Sequence, residues 1–264
     1  EYLLMLLSQI LEGRHVIAME NPTYKQAYRV FQSLGYEVCP VEMDANGMEP
    51  ELLAECGANV AYVMPSHQFP TGIVMPVGRR QELLKWAQEA PDRYIIEDDY
   101  DSEFRYKGKP IPALQGYDNH EKVIYVGTFS KSIAPAIRVS YIVLPRVLLQ
   151  QYWEKSGFLN STVSKVDQFI LQKFIEEGYY ERHLNKTRAL YKGRHDRLLA
   201  SLKCLRTQFD ISGENAGVHL LLHCKNKMSE TELIQRAADK DVKVYGLSEY
   251  YVKQQMQKPA TILL

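Results

Sequence analysis

The sequence predicts an α/β fold, in which a mostly parallel sheet carries helices on both faces and a smaller C-terminal α+β domain follows. Short runs rich in β-branched and aromatic residues alternate with helical patterns over the first two thirds of the chain, which is the order of βαβ units. Several of these runs lack apolar–polar alternation, as expected for strands covered on both faces. The last third changes to long, charged helical stretches, which indicates a second unit.

The larger domain is predicted to open with an amphipathic helix, because Leu3, Leu7 and Ile10 recur at helical spacing. The apolar runs predicted as strands are residues 15–20, 36–43, 60–64, 94–97, 123–126 and 139–144. Helices are predicted between them over residues 24–34, which Gly35 ends, and over residues 79–89.

The smaller domain is predicted from two long helical stretches and a mixed segment after them. In the last third of the chain, helices are predicted over residues 163–177, 180–202 and 230–239, and strands over residues 217–224, 242–247 and 260–264. The boundary is placed near Asn185, within the second long helix, which divides the chain into residues 1–185 and 186–264. Since the first residues start inside a helix and the last ones stop in a strand, we expect both domains to be trimmed at their outer ends.

The composition excludes several classes of protein. The 264 residues include 32 Lys+Arg and 32 Asp+Glu, so the surface lacks the basic excess that proteins use to bind nucleic acid directly. No segment has the pattern of a signal peptide or a membrane span. Four scattered cysteines without a C-x-x-C pair predict free thiols in a reducing cytoplasm.

Four carboxylates and a phenol follow an apolar strand, in the sequence EDDYD at residues 97–101. Carboxylates are costly to bury, so we expect them at the carboxyl end of the strand, where ligands of open α/β sheets bind. In an extended chain Asp98 and Tyr100 point to the same side and Asp99 points away. The alternative is an acidic, solvated turn after an edge strand.

A second strand end carries hydroxyl residues and a lysine, in the sequence GTFSKS at residues 127–132. Thr128 and Ser130 follow a glycine, so O–H and N–H groups in this loop can donate to a phosphate. Arg138 could add a bidentate guanidinium to the same dianion. The alternative for Lys131 is a surface lysine in a serine-rich loop.

The two strand ends together supply the groups that pyridoxal 5'-phosphate requires. A lysine forms a Schiff base with the aldehyde, and a carboxylate keeps the pyridine nitrogen protonated so that the ring can act as an electron sink. A phenol can hydrogen-bond the ring oxygen, while hydroxyls and an arginine hold the phosphate. The combination therefore favours a cofactor site over two unrelated loops.

Three segments in this order resemble fold-type I, pyridoxal-phosphate-dependent aminotransferases: residues 65–72 (PSHQFPTG), 97–106 (EDDYDSEFRY) and 127–138 (GTFSKSIAPAIR). More narrowly, they resemble the aminotransferase-like domain of MocR/GabR-type bacterial transcription regulators of the GntR family. The implied cofactor-binding residues are Lys131 (Schiff base and catalytic residue), Asp98 (pyridine nitrogen), Tyr100 (ring hydroxyl), Thr128, Ser130 and Arg138 (phosphate), and Tyr24 (stacking on the ring). No metal is implied, and the alternative for Tyr24 is core packing at a helix start.

Two positions depart from the family pattern. Enzymatic aminotransferases usually carry Asn before Pro-Thr-Gly, whereas this sequence has Phe69, which is more similar to the regulators. In the GABA-responsive branch an Arg lies two residues after the stacking tyrosine and helps to bind the effector. Gln26 occupies that position here, which disfavours a GABA-like ligand held in that way. His67 lies in the same loop as Phe69, and we interpret it as a structural hydrogen-bonding residue.

Three functions follow from the resemblance. The first is an effector-sensing homodimeric domain of a transcription regulator, in which a small amino-group-containing effector exchanges with the aldimine at Lys131, or pyridoxal phosphate itself is sensed, and the dimer shifts between two arrangements. DNA would be bound only by a winged helix-turn-helix domain N-terminal to this sequence. The second is an aminotransferase acting on an amino acid and a 2-oxo acid, with Lys131 as general base. The third, a structural domain that has lost the cofactor, is disfavoured by the complete set of cofactor-facing residues.

Overall fold

A seven-stranded sheet forms the larger part of the computed structural model, which describes residues 1–11, 15–108, 111–253 and 259–264. In chain order its strands are β1 (Val16–Asn21), β2 (Glu37–Asp44), β3 (Gly47–Met48), β4 (Val60–Val63), β5 (Tyr94–Asp99), β6 (Val123–Thr128) and β7 (Ser140–Val143). They lie side by side in the order β3-β2-β1-β4-β5-β6-β7. Strands β2, β1, β4, β5 and β6 are parallel, and β3 and β7 run antiparallel at the two edges. The predicted mostly parallel sheet is therefore confirmed.

Helices cover both faces of this sheet. They are α1 (Tyr2–Ile10), α2 (Lys25–Ser33), α3 (Pro50–Glu55), α4 (Val77–Gln88) and α5 (Arg146–Lys155). On one face Leu53 of α3 and Leu83 of α4 pack against the sheet in one core. On the other face α1, α2 and α5 pack around Phe31 in a second core. Each face of the sheet is thus buried by apolar helix surfaces, which explains why its strands read as continuous apolar runs.

The smaller unit combines helices with a four-stranded antiparallel sheet. Its elements are α6 (Lys165–Glu176), α7 (Tyr179–Leu202), β8 (Phe209–Ser212), β9 (Leu221–Cys224), α8 (Glu230–Ala238), β10 (Tyr245–Gly246) and β11 (Thr261–Leu263). The strand order is β10-β11-β9-β8. The smaller α+β unit is confirmed, and the predicted boundary at Asn185 lies inside α7, so the division of the chain stays a prediction. Within the described residues, no helix combines the length and apolarity needed to cross a membrane.

Two predicted strands are shorter than expected. The one predicted over residues 242–247 is reduced to β10, and the first part of the other docks on the larger unit instead. The strand predicted over residues 217–224 begins only at Leu221. Ahead of it, Gly217 N–H donates to the Phe104 carbonyl oxygen at 2.6 Å, and Tyr106 N–H donates to the Asn215 carbonyl oxygen at 3.0 Å. We call residues 213–219 the docking loop, because they join the smaller sheet to the carboxyl end of β5.

Candidate functional site

The acidic end of β5 and the hydroxyl-rich end of β6 lie side by side in the sheet. Because the two strands are parallel, Asp98 pairs with Val126 and Asp99 with Gly127. A Cβ on Gly127 would lie 2.4 Å from the Tyr141 ring carbon Cζ, so the β7 tyrosine occupies the space that a side chain here would need. The two loops singled out in the sequence therefore meet at one edge of the sheet, as ligand sites in open α/β sheets do.

Asp98 carries a carboxylate that the protein leaves largely unneutralised. The Tyr62 hydroxyl on β4 donates a hydrogen bond to its Oδ2. Burial raises the pKa of Asp98 to about 6, and the hydrogen bond from Tyr62 opposes that shift. No Lys, Arg or His among the described residues forms an ion pair with it. A half-buried carboxylate in these surroundings is suited to receive a cation from a ligand.

Tyr100 lies two residues further on and contacts a buried histidine. Its hydroxyl oxygen lies 3.1 Å from His67 Nδ1, which in turn lies 2.9 Å from Asp101 Oδ2. Burial, followed by the charges of Asp101 and Asp98, raises the pKa of the Tyr100 phenol well above its usual value. Tyr100 therefore keeps its proton and can act as a hydrogen-bond donor.

Aromatic rings surround this end of the sheet. Phe69 packs edge-on against Tyr24 and Tyr100, with ring centroids 5.9 and 6.3 Å apart, and also contacts rings of the smaller unit. Burial raises the pKa of Tyr24; the charge of Asp98 raises it further, and that of Arg138 lowers it. The pKa of Tyr24 thus responds to the charges of both predicted site residues, which brings its ring within electrostatic reach of the Asp98 carboxylate.

The loop after β6 is held together by its own hydroxyl groups. Thr128 Oγ1 donates to the Val139 carbonyl oxygen at 3.3 Å and accepts from Ser130 N–H at 3.2 Å and from Ser140 Oγ at 3.1 Å. The Thr128 hydroxyl is therefore engaged within the loop. Arg138 lies at the far end of the loop with a φ of 50°, in the left-handed region that a non-glycine residue adopts only at an energetic cost.

Lys131 is exposed and lies near the same acidic groups. Burial raises the pKa of Asp101 and lowers that of His219; the positive charge of Lys131 opposes the first shift and adds to the second, so its ammonium is within electrostatic reach of both groups. Among the described residues it forms no hydrogen bond or ion pair. An accessible primary amine beside a buried, acidic edge has the character of a nucleophile held for a carbonyl ligand.

The donor set fits pyridoxal phosphate. No Lys, Arg or His in the described part of the chain forms an ion pair with the Asp98 carboxylate, and a protonated pyridine nitrogen would supply the missing cation. The rings of Tyr24 and Tyr100 lie within electrostatic reach of this carboxylate, and the amine of Lys131 lies within reach of the neighbouring Asp101. Ser130 and Arg138 lie in the loop after β6, where a phosphate would need donors.

Several neighbours of the site were missed at the level of the sequence. The apolar pattern of residues 60–64 does not distinguish Tyr62, the partner of Asp98, although a phenol in such a run signals a buried polar contact. No motif points to His219, whose ring centroid lies 4.5 Å from that of His67. His67 and Asp101 are 34 residues apart in the sequence, and no local pattern predicts their contact.

Comparison with known proteins identifies a family and two kinds of relative. Residues 1–257 match the family model described as aminotransferase class I and II. The chain is 42% identical over 239 residues to the uncharacterized HTH-type transcriptional regulator YhdI of Bacillus subtilis, covering 90% of this chain and 51% of that protein. It is 31% identical over 261 residues to the probable rhizopine catabolism regulatory protein MocR of Rhizobium meliloti, covering 98% and 52%. The chain thus spans about half the length of these curated relatives.

Solved structures of aminotransferases share the fold over the whole chain. The kynurenine aminotransferase of Pyrococcus horikoshii, solved with PMP and kynurenine, gives a TM-score of 0.84 at 27% identity, covering 100% of this chain and 67% of that one. The multiple substrate aminotransferase of Thermococcus profundus gives 0.83 at 28% identity, covering 99% and 67%. Enzymes and regulators therefore share this architecture.

Proposed function

Because the chain belongs to the class I and II aminotransferase family, we propose that it is the pyridoxal-phosphate-binding, effector-sensing and dimerising domain of a cytoplasmic bacterial transcription regulator. The observation that carries the proposal is the similarity to HTH-type regulators over 90% or more of this chain, at 31–42% identity. Phe69, where enzymes of the fold usually place Asn, supports the same choice. In this proposal DNA is bound by a separate domain, consistent with the balanced charge of this one.

Each site residue has a proposed task. Pyridoxal phosphate supplies an aldehyde that condenses with amines and a ring that withdraws electrons. Lys131 would hold the aldehyde carbon and yield it to the amino group of a small effector, while Asp98 would pair with the pyridine nitrogen. Tyr24 would cover one face of the ring. The remaining proposed contacts are Tyr100 to the ring oxygen and Thr128, Ser130 and Arg138 to the phosphate.

Sensing would follow from how the two domains meet at the site. The docking loop and Tyr250 bring the smaller unit against Phe69 and His67. An effector that binds better when these contacts are closed would shift the protein toward that arrangement. Pyridoxal phosphate itself is the alternative effector, and its binding would act through the same contacts.

Lys131→Ala tests the central claim. We expect the purified protein incubated with pyridoxal phosphate to gain the visible absorbance of a lysine Schiff base, and Lys131→Ala to lose it completely because no amine remains at the site. Absorption spectra before and after borohydride reduction, followed by mass mapping of the modified lysine, provide the measurement.

Lys192→Ala is the matched control, because Lys192 is an exposed lysine on α7. It should retain the absorbance and the modified peptide. If Lys131→Ala with pyridoxal phosphate kept the absorbance of the parent with pyridoxal phosphate, the assignment of the Schiff base to Lys131 would be wrong, whatever the function of the relatives.

Dimerisation is proposed through an apolar surface on α5, α6 and the segment between them. Its side chains lie exposed over residues 153–170, including Trp153 at 64% and Phe158 at 80% exposure. Phe169 and Ile170 continue the surface on α6. A concentration of large exposed apolar side chains in one stretch of the chain is typical of an interaction site. A second copy of the chain is the proposed occupant.

Phe169→Glu combined with Ile170→Glu tests this surface. The expected result is a dimer dissociation constant raised at least tenfold, because two charges would be buried without partners. Sedimentation velocity over a concentration series measures it. Val242→Glu changes an exposed apolar residue outside the surface and should leave the dimer intact. A parent protein that stays monomeric at micromolar concentration would contradict the proposal.

The second candidate is a working aminotransferase for an amino acid and a 2-oxo acid. The fold similarity to solved aminotransferases favours it, because the same residues serve both functions. Steady turnover at rates typical of enzymes would support this candidate, whereas a single half-reaction without turnover would support the sensor. The gene sequence upstream of Glu1 separates them further, since a regulator requires a winged helix-turn-helix there.

A further inference from the structure

His67 and Asp101 form a buried pair beside the proposed cofactor site. Each residue is 1% exposed, and His67 Nδ1 lies 2.9 Å from Asp101 Oδ2. The same nitrogen lies 3.1 Å from the hydroxyl oxygen of Tyr100. His67 Nε2 and Asp101 Oδ1 have no hydrogen-bond partner among the described residues. A single nitrogen therefore faces both a carboxylate and the phenol assigned to the ring oxygen.

The protonation of that nitrogen decides what Tyr100 can do. An ionised Asp101 can only accept, so its contact requires a proton on His67 Nδ1. With the alternative tautomer, the Nδ1 lone pair would face the carboxylate at 2.9 Å, which is repulsive. Once Nδ1 carries the proton it has no lone pair for the Tyr100 hydroxyl. The phenol proton must then point away from His67.

The surroundings hold the His67 ring in this position. A Cβ on Gly217 of the docking loop would lie 1.9 Å from His67 Cε1, and the Gly217 φ of +72° also favours glycine. His219 packs on the other side, with its Nε2 3.1 Å from the Pro70 carbonyl oxygen. Burial lowers the pKa of His219 to about 3, so this neighbour is neutral. Burial raises the pKa of Asp101, whereas the hydrogen bond from His67 lowers it and so favours the ionised form of this carboxyl.

We propose that His67 is a positioning residue for Tyr100: by donating Nδ1–H to Asp101, it directs the Tyr100 hydroxyl proton into the cofactor site. The inference rests on the proposed function, because Tyr100 is assigned there to the ring oxygen. It gives His67 a specific task in place of a general structural hydrogen bond. The docking loop packs against the His67 ring, so the position of His67 depends on contact with the smaller unit.

A double-mutant cycle tests the proposal through cofactor affinity. His67→Leu removes the donor and should weaken pyridoxal phosphate binding about tenfold, whereas His67→Asn keeps an N–H near the Nδ1 position and should weaken it less than threefold. In a Tyr100→Phe background, His67→Leu should have less than a twofold effect, because no hydroxyl is left to direct. Quenching of protein fluorescence during titration measures each affinity. Fully additive effects would overturn the proposal.

A second measurement uses the protein without cofactor. Long-range ¹⁵N–¹H spectra should show His67 protonated on Nδ1, and protonation on Nε2 would overturn the proposal. His120→Asn, in an exposed turn, serves as the control for both experiments and should match the parent. A parent protein that binds no pyridoxal phosphate would defeat the proposed function and this role with it. A parent that binds while His67→Leu binds equally well would defeat the positioning role alone.

Discussion

The acidic residues on the two sides of β5 differ in burial and in the groups that donate hydrogen bonds to them. On one side Glu97 is fully buried and accepts N–H groups from Leu114 and Gln115, both at 2.8 Å. On the other side Asp98 is half-buried, and the Tyr62 hydroxyl is its hydrogen-bond donor among the described residues. The two carboxylates are adjacent in the sequence, so the difference comes from the strand's alternation and from what packs on each face.

The comparison separates an acid that maintains the fold from an acid that is kept for a ligand. Glu97 satisfies two backbone N–H groups that burial would otherwise leave unpaired, so it stabilises the loop after β5. Burial raises the pKa of both carboxyls, that of Glu97 to about 7 and that of Asp98 to about 6, so both are costly to bury. Glu97 offsets that cost by accepting two backbone N–H groups, whereas Asp98 accepts from one phenol hydroxyl among the described residues. Proteins accept such local costs mainly where a site must be prepared for a partner.

Glu97→Ala should have the largest effect on the fold. It leaves two buried N–H groups without acceptors and opens a cavity, so we expect a loss of about 3 kcal/mol in the free energy of unfolding. Urea denaturation of the cofactor-free protein measures it. Glu89→Ala, at the exposed end of α4, should cost less than 1 kcal/mol. A loss for Glu97→Ala as small as that of the control would contradict the assignment of Glu97 to the fold.

The general form of this edge was predictable from the sequence. An apolar strand running into EDDYD places acids at the carboxyl end of a buried strand, and the period of two separates Asp98 from Asp99. The structure agrees: Asp98 contacts Tyr62, whereas Asp99 accepts from Tyr125 and from the Ser102 N–H. Local alternation and the cost of burying charge were sufficient for this part.

The contacts made across the fold were not predictable. Residues 217–220 read as the start of an apolar strand, yet the docking loop pairs with residues 104–107 because those backbone groups lie unpaired beside it. His67 meets Asp101 only because two loops, 34 residues apart, end at the same edge of the sheet. Such partners depend on tertiary packing, which overrides the local signals.

Asp98→Asn should raise the free energy of unfolding, and by less than Glu97→Ala lowers it. The Asp98 pKa is about 6 in the folded protein against 3.8 in the unfolded chain, so the folded state binds more protons between these pH values. The parent therefore loses stability as the pH rises from about 4 to about 6. Asn does not titrate and can still accept from Tyr62. Without cofactor, the variant should be more stable than the parent by about 2 kcal/mol at pH 8 and nearly equal at pH 4.

The same variant should bind pyridoxal phosphate at least tenfold more weakly, because the pyridine nitrogen loses its charged partner. Urea denaturation at the two pH values and a cofactor titration test both halves. Asp239→Asn, an exposed position after α8, should change neither quantity. If Asp98→Asn were less stable than the parent at pH 8 without cofactor, Asp98 would stabilise the fold as Glu97 does, and the proposed difference between the two acids would be wrong.

Tyr125→Phe should give the smallest change in the free energy of unfolding. It alters a contact on the side of β5 that faces away from the proposed cofactor site. The Tyr125 hydroxyl donates to Asp99 Oδ2 at 2.7 Å, while Ser102 N–H still holds Oδ1 in the variant. Losing one of two bonds to a carboxylate should lower the free energy of unfolding by about 1 kcal/mol. Cofactor affinity should change less than twofold, because Asp99 points away from Tyr24 and Asp98. Thermal denaturation measures the change in stability, and the cofactor titration measures the change in affinity. A tenfold loss of affinity would mean that both sides of β5 serve the cofactor.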